Sequence, residues 1–153
     1  MANTYSQIYI QIVFAVAGRE NLILAEHREE LHKYITGIVN NRSQKMLAIF
    51  AMPDHLHILV GLSPSISISD LTRDIKAGSS KFINEKRWVR GHFKWQEGFG
   101  AFSYSRSQID RVCKYILKQE EHHRNVTFKR EYLGFLRKFE VEYDDQYLFD
   151  WIE

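Results

Sequence analysis

Gln7-Ile8-Tyr9-Ile10-Gln11-Ile12-Val13-Phe14-Ala15-Val16 is the stretch that decides the class of fold. Ile8, Ile10, Ile12, Phe14 and Val16 alternate with Gln7, Tyr9, Gln11, Val13 and Ala15. That period of two marks a strand, because successive side chains of an extended chain point to opposite faces. One face is apolar throughout and must carry helices, while the other offers two glutamines and a tyrosine. Downstream, Glu26 to Asn41 reads as a helix with Leu31, Tyr34, Ile35 and Ile38 on one stripe. Met46 to Met52 and His55 to Leu62 read as strands, joined at Pro53-Asp54 as a hairpin. Ser69 is the expected N-cap of a helix running to about Lys86, with Leu71, Ile75, Gly78 and Phe82 as its buried stripe. Phe93 to Gln96 and Phe99 to Ser103 read as short strands joined through Gly98. Ser107, with Asp110 three residues on, resembles a capping box that opens a helix to about His123; Thr127 to Phe139 forms the last helix. The order β-α-β-β-α-β-β-α-α predicts an α+β fold. Its expected form is a ferredoxin-like (RRM-like) antiparallel sheet with helices packed on one face.

Length and charge narrow the function. At 153 residues the chain suffices for one domain with a real core. No repeat, low-complexity segment or Pro/Gly/Ser-rich linker divides it, so residues 1–138 read as one domain and 139–153 as an acidic tail of the same unit. The longest apolar run, Ile12 to Ala17, is too short to span a membrane, which takes roughly 20 residues. The first residues lack the pattern of a signal peptide. The lone Cys113 excludes an internal disulfide and suits a reducing cytoplasm. Net charge is only +2, but the six acids after Phe139 have no base among them. Residues 1–138 therefore hold 21 bases against the remaining 13 acids. Such a basic body favours polyanions through phosphate contact and counterion release, although a basic helix face can also be merely solvated.

His55-Leu56-His57 is the sharpest local signal. Residues two apart on a strand share a face, so both imidazoles point one way while Leu56, Ile58, Val60 and Leu62 point into the core. The pair either converges on one metal ion or stands exposed on the sheet. Asp54 either accepts a hydrogen bond from a metal-bound histidine or shapes the turn. Tyr115 and Gln119 lie four apart on a helix and share a face. A tyrosine hydroxyl is a potential nucleophile, but its reference pKa near 10 means that it needs a cation, metal or base close by. Otherwise it is a core-edge residue reaching water. His122 and His123 either approach such a site or interact with the terminal carbonyls of their helix. Gly98-Phe99-Gly100 lacks the third glycine of a dinucleotide loop, and Gly78-Ser79-Ser80-Lys81 has the wrong order for a phosphate-binding loop.

The segment Met52-Pro53-Asp54-His55-Leu56-His57 resembles the HUH motif (histidine, bulky apolar residue, histidine) of single-tyrosine transposases, the small insertion-sequence enzymes of the IS200-like class. Residues 95–103, Trp95 to Ser103, resemble the second conserved block of that family, and residues 112–123, Val112 to His123, its tyrosine helix. The three blocks stand in family order. The resemblance implies that Tyr115 attacks a phosphate of single-stranded DNA, forms a 5′-phosphotyrosine and releases a 3′-hydroxyl. It implies that His55, His57 and Gln119 hold Mg2+ or Mn2+, that no nucleotide cofactor is needed, and that homodimers act on DNA hairpins. Its variants include a domesticated relative that processes chromosomal hairpins. A binding-only RRM-like module would instead carry aromatics on its central strands, where Gln7, Gln11, His55 and His57 lie here. Arg73, Lys76, Lys81 and Arg106 are the expected phosphate contacts, and Trp95 the expected stacking platform for an unpaired base.

Overall fold

Strand β1 (Tyr9–Ala15) sits inside a four-stranded antiparallel sheet with β2 (Lys45–Ala51), β3 (His55–Gly61) and β4 (Gly100–Tyr104), in the order β2-β3-β1-β4. The computed structural model describes residues 3–18 and 21–149. Asp150 and Glu153 of the acidic tail lie outside them. The strand order is that of the ferredoxin-like layout expected from the sequence. β1 pairs with β3 in a register that sets Ile12 opposite Ile58, Val13 opposite His57 and Ala15 opposite His55. Paired residues share a face, so Ile10, Ile12 and Phe14 join Leu56, Ile58 and Val60 on one side, while Gln11, Val13 and Ala15 join His55 and His57 on the other.

The apolar side carries the two long helices, α1 (Ala25–Asn41) and α2 (Ile68–Lys86). Leu31, Ile35 and Val39 of α1 and Leu71, Ile75 and Ile83 of α2 are buried in one core with these strand residues. Each such burial stabilises the fold by roughly 1.5–3 kcal/mol. The cap of α2 is Ser67, two residues before the expected Ser69; its hydroxyl accepts the Asp70 N–H at 3.0 Å.

Helices on one face describes α1 and α2, and the other face is covered as well. There α3 (Ile109–Leu117) lays Ile109, Val112 and Ile116 on Ala48 and Leu59, and α5 (Phe128–Lys138) crosses β3 and β4. Between them stands the single turn α4 (Gln119–His122). The expected helix from Ser107 to His123 is thus split at Lys118. Its capping box also lies earlier: Ser105 and Gln108 form it, around a 3₁₀ turn at Arg106–Gln108. Phe93 to Gln96 is not a strand but a single bridge between Val16 and Trp95. Side chains take the backbone groups a ladder would need: Asn84 bonds both the N–H (2.7 Å) and the carbonyl (3.0 Å) of Phe93, and Lys76 donates to Gln96 O. Past α5 the chain returns so that Phe149 is buried against Phe128 and Tyr132. Among the described residues, no helix is long and apolar enough to cross a membrane.

Candidate active site

The site lies on β3, under the roof made by α4 and α5. His55 and His57 are fully buried, which removes the alternative of two exposed strand histidines. Each ring has a fixed acceptor at Nδ1. Asp54 Oδ1 is 2.7 Å from His55 Nδ1, and Gln11 Oε1 is 2.8 Å from His57 Nδ1. The Gln11 amide is itself oriented, because its Nε2 donates to the Tyr104 hydroxyl at 2.7 Å. His123, just past α4, repeats the arrangement with the Val126 carbonyl 2.6 Å from its Nδ1. Each imidazole thus keeps its proton at Nδ1 and turns Nε2 inward.

All three Nε2 atoms face one oxygen. Glu131 Oε1, from α5, lies 3.0 Å from His57, 3.1 Å from His123 and 3.6 Å from His55. Lone pairs facing a carboxylate oxygen repel unless positive charge stands among them, as imidazole protons or as a bound cation. The donor set fits a divalent cation, with the ligand atoms of His55, His57, His123 and Glu131 all within 4.8 Å of one another. The outward hydrogen bond of every ring is the support that metal-bound histidines require. Gln119 is also brought in, fully buried, with Oε1 3.4 Å from His55 Nε2.

Tyr115 enters from α3. Its hydroxyl donates to Glu131 Oε2 and lies 3.2 Å from His122 Nε2. Gln119 Nε2 donates to the same Glu131 oxygen at 3.1 Å. Tyr115 and Gln119 therefore meet at one carboxylate although the helix breaks between them. Burial, and then the Glu131 charge, pushes the Tyr115 hydroxyl far above its ordinary range, so it holds its proton. Burial alone would raise the Glu131 carboxyl, but the His57, His123 and His55 imidazoles outweigh it and hold the group well below the usual carboxylate range. Burial lowers His55 below its ordinary value, while the Glu131 contact outweighs burial at His123 and raises it.

Sequence reasoning placed His55, His57, Tyr115 and Gln119 individually, and the structure brings all four together. It left His123 open between two roles and missed Glu131. A signal for Glu131 was present: it occupies the buried stripe Phe128, Glu131, Tyr132, Leu136 of an amphipathic helix, where an acid is out of place. The expected DNA contacts divide differently. Trp95 is in the core, edge-on to Phe14 and Phe93, with its indole N–H donated to Ser79 Oγ at 2.9 Å. That burial leaves too little of the ring exposed to stack on a base, so the expectation of a stacking platform is corrected. Arg73, Lys76 and Lys81 project from α2, across the sheet from the histidines. Arg73 pairs with Asp70 and Asp74, Lys81 with Glu85, and Lys76 is tied to the Gln96 and Gly98 carbonyls. Arg106 is exposed in its 3₁₀ turn.

Comparison with known proteins places the chain in a family. Among curated proteins the chain is similar to the ISDra2 transposase TnpA of Deinococcus radiodurans, 22% identical over 122 residues, which covers 75% of this chain and 86% of that one. Two solved structures share the fold. A transposase structure from D. radiodurans R1 aligns with a TM-score of 0.60 at 19% identity, over 76% of this chain and 94% of the other. A REP-associated tyrosine transposase bound to a REP hairpin aligns with a TM-score of 0.61 at 16% identity, over 99% of this chain and 91% of the other. The profile of the family described as "Transposase IS200 like" matches residues 4–119, which takes in β3 and α3 and ends at Gln119, before His123 and Glu131. On a match of that extent, the chain belongs to the IS200-like transposase family.

Proposed function

We propose that this transposase cleaves and rejoins single-stranded DNA at hairpin-bearing element ends through a covalent bond to Tyr115. The observation that carries the reading is the Tyr115 hydroxyl donating to a carboxylate whose other oxygen faces three inward imidazole nitrogens. In the first step the Tyr115 oxygen attacks phosphorus and its proton passes to Glu131 Oε2. The bond from phosphorus to the 3′-oxygen breaks, and that oxygen leaves as a hydroxyl after taking a proton. Rejoining reverses the step with a new 3′-hydroxyl, so no nucleotide cofactor is consumed. His55, His57 and Gln119 would hold Mg2+ or Mn2+, with His123 and Glu131 completing the donor set. A bound divalent cation supplies charge neutralisation at the non-bridging phosphate oxygens. The hairpin bound by the structural neighbour supports hairpin DNA as the partner. Nucleophile and histidines meet within one chain, so a homodimer would join two complete centres.

The test is incubation with Mg2+ and a pool of labelled single-stranded hairpin oligonucleotides with randomised flanks. A protease-sensitive covalent adduct is expected, and Tyr115→Phe should abolish it while hairpin binding stays within about twofold. Adduct formation by Tyr115→Phe would remove Tyr115 as nucleophile. Binding without any adduct, under all cation conditions, would favour a binding module.

A further inference from the structure

Between α3 and α5 a cavity of about 360 Å³ opens onto the reaction centre. Tyr115, Glu131 and His122 of that centre are among its lining residues. Its walls are the apolar side chains of Val112, Val126 and Phe135. Gly134 leaves one wall open: a Cβ built there meets nothing within 4 Å. At the rim stand Arg111, Arg130 and Lys138, all exposed. Among the described residues none of these three has a carboxylate within ion-pair distance. By contrast, Arg28, Arg42, Arg73, Lys81 and Lys86 are all paired.

We infer that this cavity receives one unpaired nucleoside of the DNA, next to the phosphate presented to Tyr115, and that Arg111, Arg130 and Lys138 hold the following phosphate. The inference rests on the reading of Tyr115 as nucleophile. A strand that brings a phosphate to this hydroxyl must place one flanking nucleoside in a space that adjoins it, and this cavity, lined by both Tyr115 and Glu131, is such a space. Its size is at the lower end of small-ligand sites, roughly 300–1,000 Å³, and too small for a base pair with its backbones. Apolar walls suit the faces of a base, and the hydrogen-bonding groups of Tyr115 and His122 suit its sugar. The uncompensated rim suits a further anion. A base can enter only when extruded from its stack, so the cavity selects unpaired DNA at the cleavage position.

Gly134→Leu fills the cavity from a helical position without a left-handed backbone to strain. The probe is 2-aminopurine, scanned one position at a time through the unpaired flank of a hairpin oligonucleotide that the full chain retains. Binding is read in a Tyr115→Phe background, where cleavage cannot interfere. One position should change fluorescence several-fold on binding, and the change should vanish in Tyr115→Phe/Gly134→Leu. An abasic sugar at that position should lower adduct yield of the otherwise unmodified chain at least tenfold, and Gly134→Leu should make no further difference on that substrate. As a second variant, Arg111→Gln/Arg130→Gln/Lys138→Gln should reduce the salt dependence of binding by about one phosphate contact. Equal fluorescence with Leu or Gly at 134 would overturn the cavity assignment, whatever the adduct yield. Absence of any adduct from the unsubstituted chain would instead overturn the reading of Tyr115.

Discussion

Glu131 is the residue on which the centre turns. Its two oxygens divide the work: Oε1 faces the three imidazoles, and Oε2 accepts from Tyr115 and Gln119. A hydroxyl that burial and a neighbouring charge keep protonated needs an acceptor in place, and Glu131 Oε2 accepts its hydrogen bond, with His122 Nε2 3.2 Å away. Glu131→Gln keeps the shape but removes both the charge and the proton acceptor. General-base loss costs on the order of 10²–10⁴ in rate, so single-turnover adduct formation should fall by at least 10². Hairpin affinity, measured by anisotropy, should change little. An unimpaired rate in Glu131→Gln would give the proton to another acceptor.

At the scale of elements, two joints hold the roof and floor of the site. Gly100 of β4 lies under Tyr132 of α5: a Cβ there would stand 2.7 Å from the Tyr132 hydroxyl oxygen, 2.9 Å from its ring and 3.0 Å from the Phe102 ring. Tyr132 is itself wedged among aromatic rings, so Gly100→Ala should destabilise the fold by roughly 1–3 kcal/mol, read from urea midpoints. The second joint is His32 of α1, whose Nε2 accepts the Ala51 N–H of β2 at 2.9 Å. Burial, helped by the Arg28 charge, lowers His32 from 6.5 to about 4. The native chain therefore refuses a proton that the unfolded chain takes up below about pH 6.5. The contribution of His32 to stability is complete above that pH and declines as pH falls toward about 4. Denaturation at pH 7.5 and pH 5 should show the loss, and His32→Gln, which keeps an acceptor but does not titrate, should reduce it. An identical decline in both proteins would place the acid sensitivity elsewhere.

For the whole molecule, the donor set joins segments far apart in sequence: β3, the end of α4, and α5. The unfolded chain cannot assemble it, so a cation bound there stabilises only the native state. At a hundred times its Kd a ligand adds about 2.7 kcal/mol, and at about 2–4 °C per kcal/mol the melting temperature should rise by roughly 5–11 °C. Mn2+ titration in a thermal melt is the measurement. His57→Ala should lose most of the rise, and a rise of equal size in that variant would separate the stabilising ion from the histidine cluster.

How far the sequence reached depended on how local each signal was. Strand alternation, helical stripes and the two-residue spacing of His55 and His57 are properties of neighbouring residues. They determined the sheet, the helices α1 and α2, and the face on which the imidazoles stand. Tyr115 and Gln119 were legible from their four-residue spacing, although the helix breaks between them. Which element covers a face is a different question, because it depends on contacts between residues far apart in the chain. Only the tertiary structure decided that α3 and α5 roof the histidine side, that Glu131 and His123 belong to the centre, and that Trp95 belongs to the core. It alone set the α2 cations on the far side of the sheet. Periodicity tells a side chain which way to point, and packing decides what it meets there.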